Sequence, residues 1–452
     1  MTDESATRGE AGARVRAAEG ARTRAPSART WLTTWFASGE LLRNSVAIMA
    51  TTVVTSLFGF VFWLVVARSS PAWVSGAGAA VVSALQATTM FTAVGAAAAM
   101  LEWLPRSRSG VEWRRRLTAG VVVAAAGGCL GGLLVVGVLG HLYGTLPALR
   151  SPTGAVLFCL GAVFLAAGIV YDHAAIAEDR ATMMLGRNAL STAARIPLVL
   201  VPWLLPGTED RILTAWTVAA GLSLLVALTG FRRSALGSSL RPRSRGLPAA
   251  LREMRQSLWV QHLITVTGTL GIYLLPLMVV VRVSVVANAY FYATWMIGAV
   301  FFMISPAVST ALFATCAGNP DAVGSAVRRS AVTIAVLLVV PMVVCLFGGG
   351  ALLSLFGPEY PGEGRVLLVL LALSAVPDAI VNIAVAVLRA TNRLRSALWF
   401  NTAVLVASLV LSWVLLPALG IVAVGLAWIA AQTGGALWVL VFRRRIITGS
   451  AA

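Results

Sequence analysis

The sequence predicts an all-α polytopic membrane protein with about twelve transmembrane helices. Of its 452 residues, 58% are hydrophobic, and the mean hydropathy of +0.86 is well above that of water-soluble proteins. Twelve apolar stretches follow one another, each close to or above the roughly 20 residues that a helix needs to cross a bilayer. All 35 basic residues are arginines, and 28 of them fall in the termini and in every second loop. This positive-inside pattern predicts that both termini are cytoplasmic.

The predicted spans form two sets of six. The first set is 42–67, 73–103, 117–140, 153–177, 183–205 and 212–230, and the second is 257–281, 286–314, 330–349, 366–388, 396–416 and 420–441. We expect an N-lobe over 41–230 and a C-lobe over 257–442, joined by a basic cytoplasmic linker over 231–256. Residues 1–40 are rich in arginine without apolar periodicity, which predicts a disordered cytoplasmic tail. A second cytoplasmic tail covers 443–452.

The two halves share polar landmarks at nearly constant spacing, which indicates an internal repeat. Each half has an even number of helices, so both begin in the cytoplasm and the repeats are parallel. The sequence therefore predicts two parallel six-helix lobes around a central cavity. The landmarks are Arg43-Asn44-Ser45 against Arg255-Gln256-Ser257, and Arg180 with Asn188 against Arg393 with Asn401.

Composition and motifs argue against an enzyme and against a nucleic-acid-binding protein. The chain has no P-loop, GxSxG or HExxH motif, and its three histidines and four cysteines are scattered, so we expect no cofactor and no metal. The net charge of +18 is explained by topology-determining arginines that contact lipid headgroups, and we expect membrane lipids rather than nucleic acid as partners. Arginine without lysine, with abundant alanine and glycine, indicates a bacterial cytoplasmic membrane protein.

Charged residues inside predicted spans are the first candidates for a functional site, because a charge in the bilayer needs a partner or water. Arg195 lies about 18 Å into span five, and Arg187 about two turns before it. Guanidinium groups suit phosphate, but an arginine paired with a carboxylate to fasten two helices is the alternative. We expect Asp172 to pair with Arg187. Asp378, at a depth similar to that of Arg195 in the other lobe, is an ion-coupling candidate and a possible partner of Arg195 across the cavity.

Polar residues in the spans form a second group of candidates. Asn188, Gln261, His262 and Asn401 could line the cavity, although interhelical hydrogen bonding is the simpler explanation for each one taken singly. The aromatic residues near the outer end of span eight are interpreted as an interfacial belt. These are Tyr290, Tyr292 and Trp295.

Two passages near the C-terminus resemble a known family. They are Leu355-Phe356-Gly357-Pro358-Glu359-Tyr360, and Ala390-Thr391-Asn392-Arg393 followed by Asn401, Leu416-Pro417 and Gly420-Ile421-Val422-Ala423-Val424-Gly425. This pattern resembles the polysaccharide-biosynthesis (oligosaccharide flippase) branch of the multidrug/oligosaccharidyl-lipid/polysaccharide (MOP) exporter superfamily, which has the MATE-like fold.

The resemblance implies a transporter that moves a polyprenyl-pyrophosphate-linked oligosaccharide to the outer leaflet for cell-surface polysaccharide synthesis. A polysaccharide polymerase or glycosyltransferases would be further partners. Substrate would then bind at Arg195, Arg187, Asn188, Gln261, His262 and Asn401, with Asp378 and Asp172 as ion-coupling candidates.

Two alternatives remain open. One is a cation-coupled multidrug antiporter of the same fold, which the absence of Asp and Glu from spans one and seven disfavours. The other is a non-transporting scaffold of a polysaccharide synthase complex, in which the Arg-rich tail and linker are docking surfaces. The loop between spans two and three lacks the Asp of the major facilitator signature, and this argues against that superfamily.

Overall fold

The computed structural model describes residues 39–107, 109–142, 146–201, 208–232, 259–316 and 323–448. Nearly all of the predicted N-terminal tail and linker, and the last four residues of the C-terminal tail, lie outside these ranges. So do the side chains of Gln261 and His262, whose backbone belongs to a helix. Within the described ranges the chain forms twelve long α-helices and no strand, so the predicted all-α membrane fold is confirmed.

The helices fall into two groups of six. The N-lobe contains α1 Gly39–Ser69, α2 Ala72–Trp103, α3 Gly110–Val135, α4 Pro152–Ala177, α5 Ala181–Leu200 and α6 Thr208–Arg232. The C-lobe contains α7 Trp259–Arg282, α8 Val285–Cys316, α9 Val323–Ser354, α10 Tyr360–Ala390, α11 Leu394–Leu419 and α12 Val422–Thr448. A π-helical segment, Val136–Leu142, continues α3, and the 3₁₀ turn Pro147–Arg150 leads into α4.

Ten of the described helices are long and apolar enough to cross a membrane by length and composition, fewer than the twelve spans predicted. The other two helices are α5 and α7. In α7, the described residues contain only a shorter apolar helix, Leu270–Arg282. Helix α5 carries Arg187 and Arg195 on a buried face, which makes it less apolar than its neighbours. Polar groups on α5 are therefore directed into the bundle rather than towards lipid.

The two lobes repeat the same packing. In the N-lobe, α2 packs on α3 and α4, α1 packs on α5, and α6 packs on α4 and α5. The C-lobe repeats these contacts, with α7 to α12 in the places of α1 to α6. The turns before α5 and α11 match as well. Asp179 and Asn392, 213 positions apart, both adopt a left-handed backbone with φ of 56° and 58°. The next residue is an arginine in both turns, Arg180 and Arg393, and its backbone N–H donates to the carbonyl five residues earlier. The two N···O distances are 2.8 and 2.7 Å.

The lobes meet at the predicted outer face, where α1, α7 and α9 end. The exposed guanidinium of Arg68 donates to the carbonyls of Leu355 (2.6 Å) and Ser354 (3.0 Å). The buried Asn288 amide of α8 donates to the carbonyl of Gly76 in α2 (2.8 Å). A side chain at Gly76 would collide with α8, so glycine permits this close approach. These contacts join the two lobes at the predicted outer end.

Candidate transport site between the two lobes

Arg195 is buried against an aromatic ring rather than a carboxylate. Residues 187, 191 and 195 are spaced four apart and lie on one face of α5, which packs against α1, α4 and α6. The Arg195 side chain is 8% exposed, and its Cζ lies 3.6 Å from the centroid of the Trp216 ring in α6. Its Nη2 donates to the Ser191 hydroxyl (3.2 Å), while its Nε has no hydrogen-bond partner. Among the described residues, no carboxylate lies within 4.0 Å of this cation.

Aromatic rings continue from Trp216 to the other lobe. Phe62 contacts Trp216 and Trp63 with centroid distances of 6.3 and 5.3 Å, and Trp63 lies 4.7 Å from Tyr292 of α8. We name Phe62, Trp63, Trp216 and Tyr292 the aromatic bridge. A desolvated cation over an indole gains about 2 kcal/mol, which offsets part of the cost of burying Arg195. The cation therefore lies at one end of an aromatic path that joins the lobes.

The aromatic residues of α8 pack inside the protein, so their interpretation as an interfacial belt was wrong. Tyr290 and Trp295 are 8% and 3% exposed, and the Tyr290 hydroxyl donates to Glu359 (2.6 Å). The sequence contained no sign of this, because the rotation of α8 about its axis decides whether its aromatic rings face lipid or protein.

Arg187 forms an ion pair with Asp172, as the similar depths of the two residues in adjacent spans predict. Its Nε donates to Asp172 Oδ1 (2.7 Å), and its Nη2 donates to the Asn188 side-chain oxygen (2.9 Å). The Asn188 amide donates in turn to Asp172 Oδ2 (2.9 Å). Gly168, one turn from Asp172 on α4, leaves the space that the guanidinium fills. The three side chains link α4 to α5, and substrate binding by Arg187 or Asn188 stays a prediction.

Asp378 is buried in the C-lobe with neutral partners. It is 5% exposed, and it accepts hydrogen bonds from the amides of Asn382 (2.9 Å) and Gln432 (3.2 Å). Asn401 joins them around a cavity of about 80 Å³ formed by α7, α8, α10, α11 and α12. Gln432 was not among the predicted site residues, because its only signal in the sequence is its position as an amide within an apolar span. Within the described residues no basic group lies within 4.0 Å of Asp378.

The expected ion pair between Arg195 and Asp378 is not formed in this structure. Both residues lie about 20 Å along their helices from the predicted cytoplasmic ends, so their depths are similar, as predicted. However, the guanidinium of Arg195 lies on Trp216 within the N-lobe, and both carboxylate oxygens of Asp378 are bound within the C-lobe. Each charge is thus held by its own lobe.

Comparison with solved structures identifies the fold. No protein-family model and no curated protein matches the sequence. An inward-facing multidrug resistance MATE transporter of the MOP superfamily superposes with a TM-score of 0.70 at 14% identity, covering 90% of this chain and 100% of that one. The lipid II flippase MurJ, in an inward closed conformation, gives 0.66 at 12% identity, covering 90% and 89%.

A third similar structure is a MOP superfamily transporter from Pyrococcus furiosus, described for the reverse polarity of its binding pocket. Its TM-score is 0.63 at 15% identity, with 91% of this chain and 96% of that one covered. The chain therefore has the fold of MOP superfamily transporters, as the C-terminal passages predicted, and the two parallel lobes that the internal repeat predicted. These solved structures are transporters and a flippase rather than enzymes.

Proposed function

We propose that this protein moves a polyprenyl-pyrophosphate-linked oligosaccharide from the inner to the outer leaflet of a bacterial cytoplasmic membrane. Arg195 carries the proposal. It is a cation buried in the N-lobe beside the aromatic bridge, with a free Nε and, among the described residues, no carboxylate within 4.0 Å. A guanidinium offers a planar set of N–H donors that matches phosphate oxygens. An arriving pyrophosphate would supply the negative charge that Arg195 lacks.

The surroundings of Arg195 also favour a glycan headgroup. The aromatic bridge provides flat rings beside the cation, and such rings can stack on sugars. The contact between the lobes at the predicted outer end is consistent with entry from the predicted cytoplasmic side, where the headgroup would pass between the lobes while the lipid tail stays in the bilayer. In this proposal both termini are cytoplasmic.

Loss of Arg195 is expected to abolish rescue of a deletion strain. In the native host, deleting the gene should cause one completed lipid-linked oligosaccharide to accumulate, as measured by mass spectrometry, and the wild-type gene should reverse this. We expect Arg195→Ala to reduce flipping roughly tenfold or more, because a hydrogen bond to a charged group contributes about 1.5–3 kcal/mol.

Arg365→Ala, which removes an exposed arginine from the outer end of α10, is the control and should rescue fully. Full rescue by an equally expressed Arg195→Ala protein would contradict the proposal. A deletion strain without lipid-linked glycan but with increased sensitivity to cationic drugs would favour the antiporter alternative.

A cation-coupled antiporter of the same fold is the second candidate, and Asp378 is the observation that favours it. Its carboxylate lines a small cavity among neutral amides, where a cation or proton would compensate its charge. Coupling at Asp378 is compatible with either substrate class.

Replacement of Asp378 by Asn is expected to abolish the ion dependence of transport while preserving the fold, since Asn has nearly the same shape. Transport by protein in proteoliposomes would be measured with and without Na⁺ and H⁺ gradients. Asn382→Ala serves as the comparison, because it removes a hydrogen-bond donor and keeps the charge. Unchanged ion dependence in Asp378→Asn would exclude this residue from coupling.

A further inference from the structure

A long groove lies on the surface of the C-lobe between α11 and α12. Its volume is about 1120 Å³, and Leu388 of α10 forms part of its wall. Only Val404 lines both this groove and the Asp378 cavity. Val404 packs with the buried side chains of Val381 and Ala431, and this apolar cluster separates the two spaces. The groove is therefore distinct from the Asp378 cavity, and it lies on the other lobe from Arg195.

The chemistry of the groove changes along its length. At the predicted cytoplasmic end lie Arg393, Arg395 and Ser396, all exposed. Beyond them the lining is apolar and consists of small residues of α11 and α12 and of aromatic rings. The small residues are Ala403, Ala407, Ala430, Ala431, Gly434 and Gly435, and the rings are Trp399, Phe400, Trp438 and Phe442.

The dimensions of the groove fit a lipid molecule. The groove follows α11 for sixteen residues, from Arg395 to Leu411, which corresponds to about 24 Å. The hydrocarbon core of a bilayer is about 30 Å thick. Trp399 lies one turn further along α11 than Arg395 and is 74% exposed. Its position near the predicted cytoplasmic end matches the preference of tryptophan for the headgroup boundary. An acyl chain that spans one leaflet, about 15 Å, fits within this length.

The repeat does not require this arrangement. The matching turns relate the lobes by 213 positions, so Arg395 corresponds to Thr182 and Trp399 to Gly186. The same offset relates Phe400 to Arg187. The N-lobe thus has neither the second basic residue nor the aromatic rings at these positions, although its helices pack in the same way.

We propose that this groove is a binding site for an anionic glycerophospholipid of the cytoplasmic leaflet. Arg393 and Arg395 bind its phosphate, and one acyl chain lies along the aromatic rings. Opposite charge at the headgroup end and apolar lining at the chain end select this occupant over a neutral lipid. The proposal is independent of the substrate assigned to the central site.

The test is native mass spectrometry of the delipidated, purified protein titrated with phosphatidylglycerol or phosphatidylcholine of identical chains. Wild type should bind phosphatidylglycerol more tightly. Arg393→Gln with Arg395→Gln should weaken that binding about thirtyfold, at about fivefold per arginine. Arg328→Gln with Arg329→Gln is the matched control, because these two exposed arginines lie at the same predicted face outside the groove.

A second variant tests the apolar part. A side chain at Gly434 meets nothing within 4 Å and would project into the groove, so Gly434→Phe should displace the acyl chain. Gly348→Phe on α9, also without neighbours within 4 Å, should leave binding unchanged.

Equal affinity for the two lipids, or an equal loss in the Arg328/Arg329 control, would overturn the proposal. If Gly434→Phe folds and binds phosphatidylglycerol like wild type, the acyl chain does not occupy the groove. A dimer that appears in wild type and disappears in Gly434→Phe would show that the groove is an interface between copies of the chain, which also overturns it.

Discussion

Replacing Asp172 by Ala is expected to destabilise the N-lobe by about 3–5 kcal/mol, the typical cost of leaving one partner of a buried ion pair uncompensated. Arg187 is 7% exposed, and the Asp172 carboxylate provides its opposite charge. Without that carboxylate, the guanidinium keeps its hydrogen bond to the Asn188 oxygen and its contact with Gly168, and neither residue supplies a negative charge. The measurement is the unfolding midpoint of the purified protein in detergent, followed by tryptophan fluorescence.

Two variants separate this mechanism from a general loss of stability. Asp172→Leu combined with Arg187→Met removes both charges and should recover most of the loss, since a well-packed apolar pair often replaces a buried ion pair without cost. Glu102→Ala breaks the exposed pair with Arg106 and should change stability by less than about 1 kcal/mol. If Asp172→Ala unfolded at the same midpoint as Glu102→Ala, Arg187 would not need its partner.

Features that depend on position along a helix were predictable from sequence. The spacing of Arg180 and Arg393 predicted the repeat, and both turns have the same backbone conformation and hydrogen bonds. The Arg187–Asp172 pair followed from depth alone, because α4 and α5 are consecutive and antiparallel. In each case chain order and helical rise determine which groups can meet.

Features that depend on how a helix is rotated about its axis were not predictable. Arg195 packs on Trp216 of another helix, and no pattern of polar residues in the sequence predicts this contact. Gln432, which donates a hydrogen bond to Asp378, lies on α12, 54 positions further along the chain. The aromatic residues of α8 face protein for the same reason. Composition indicates how long and how apolar a helix is, but the direction of its side chains is determined by tertiary packing.

The lobes differ in charge although they share their packing. The N-lobe buries a cation, Arg195, and no described carboxylate lies within 4.0 Å of it. The C-lobe buries an anion, Asp378, and no described basic group lies within 4.0 Å of it. Either charge costs free energy until a ligand or the opposite lobe compensates it. An anionic substrate at one site and a cation at the other would each reduce this cost. In the proposed transport cycle, binding at both sites would be coupled to movement of the lobes.

In the proposed transport cycle, movement of the lobes would require the outer contact to open, and Arg68 is expected to control that step. Its guanidinium holds the end of α1 to the carbonyls of Ser354 and Leu355 at the end of α9. These carbonyls lie near a helix C-terminus, where the helix dipole favours a cation. Arg68→Ala removes both hydrogen bonds, each contributing about 1 kcal/mol at an exposed position, and should raise the outward-open population by roughly fivefold or more.

Spin labels at Ser69→Cys and Gly362→Cys, in a background with the four native cysteines replaced, would report the separation of the outer ends by pulsed electron resonance. Arg150→Ala is the matched control, because Arg150 also donates to a carbonyl, that of Gly140 (3.0 Å), but within one lobe. The longer distance should become more populated in Arg68→Ala and stay unchanged in Arg150→Ala. An unchanged distribution in Arg68→Ala would mean that the packing of α2 on α7 and α8, with the Asn288–Gly76 hydrogen bond, is sufficient to keep the outer end closed.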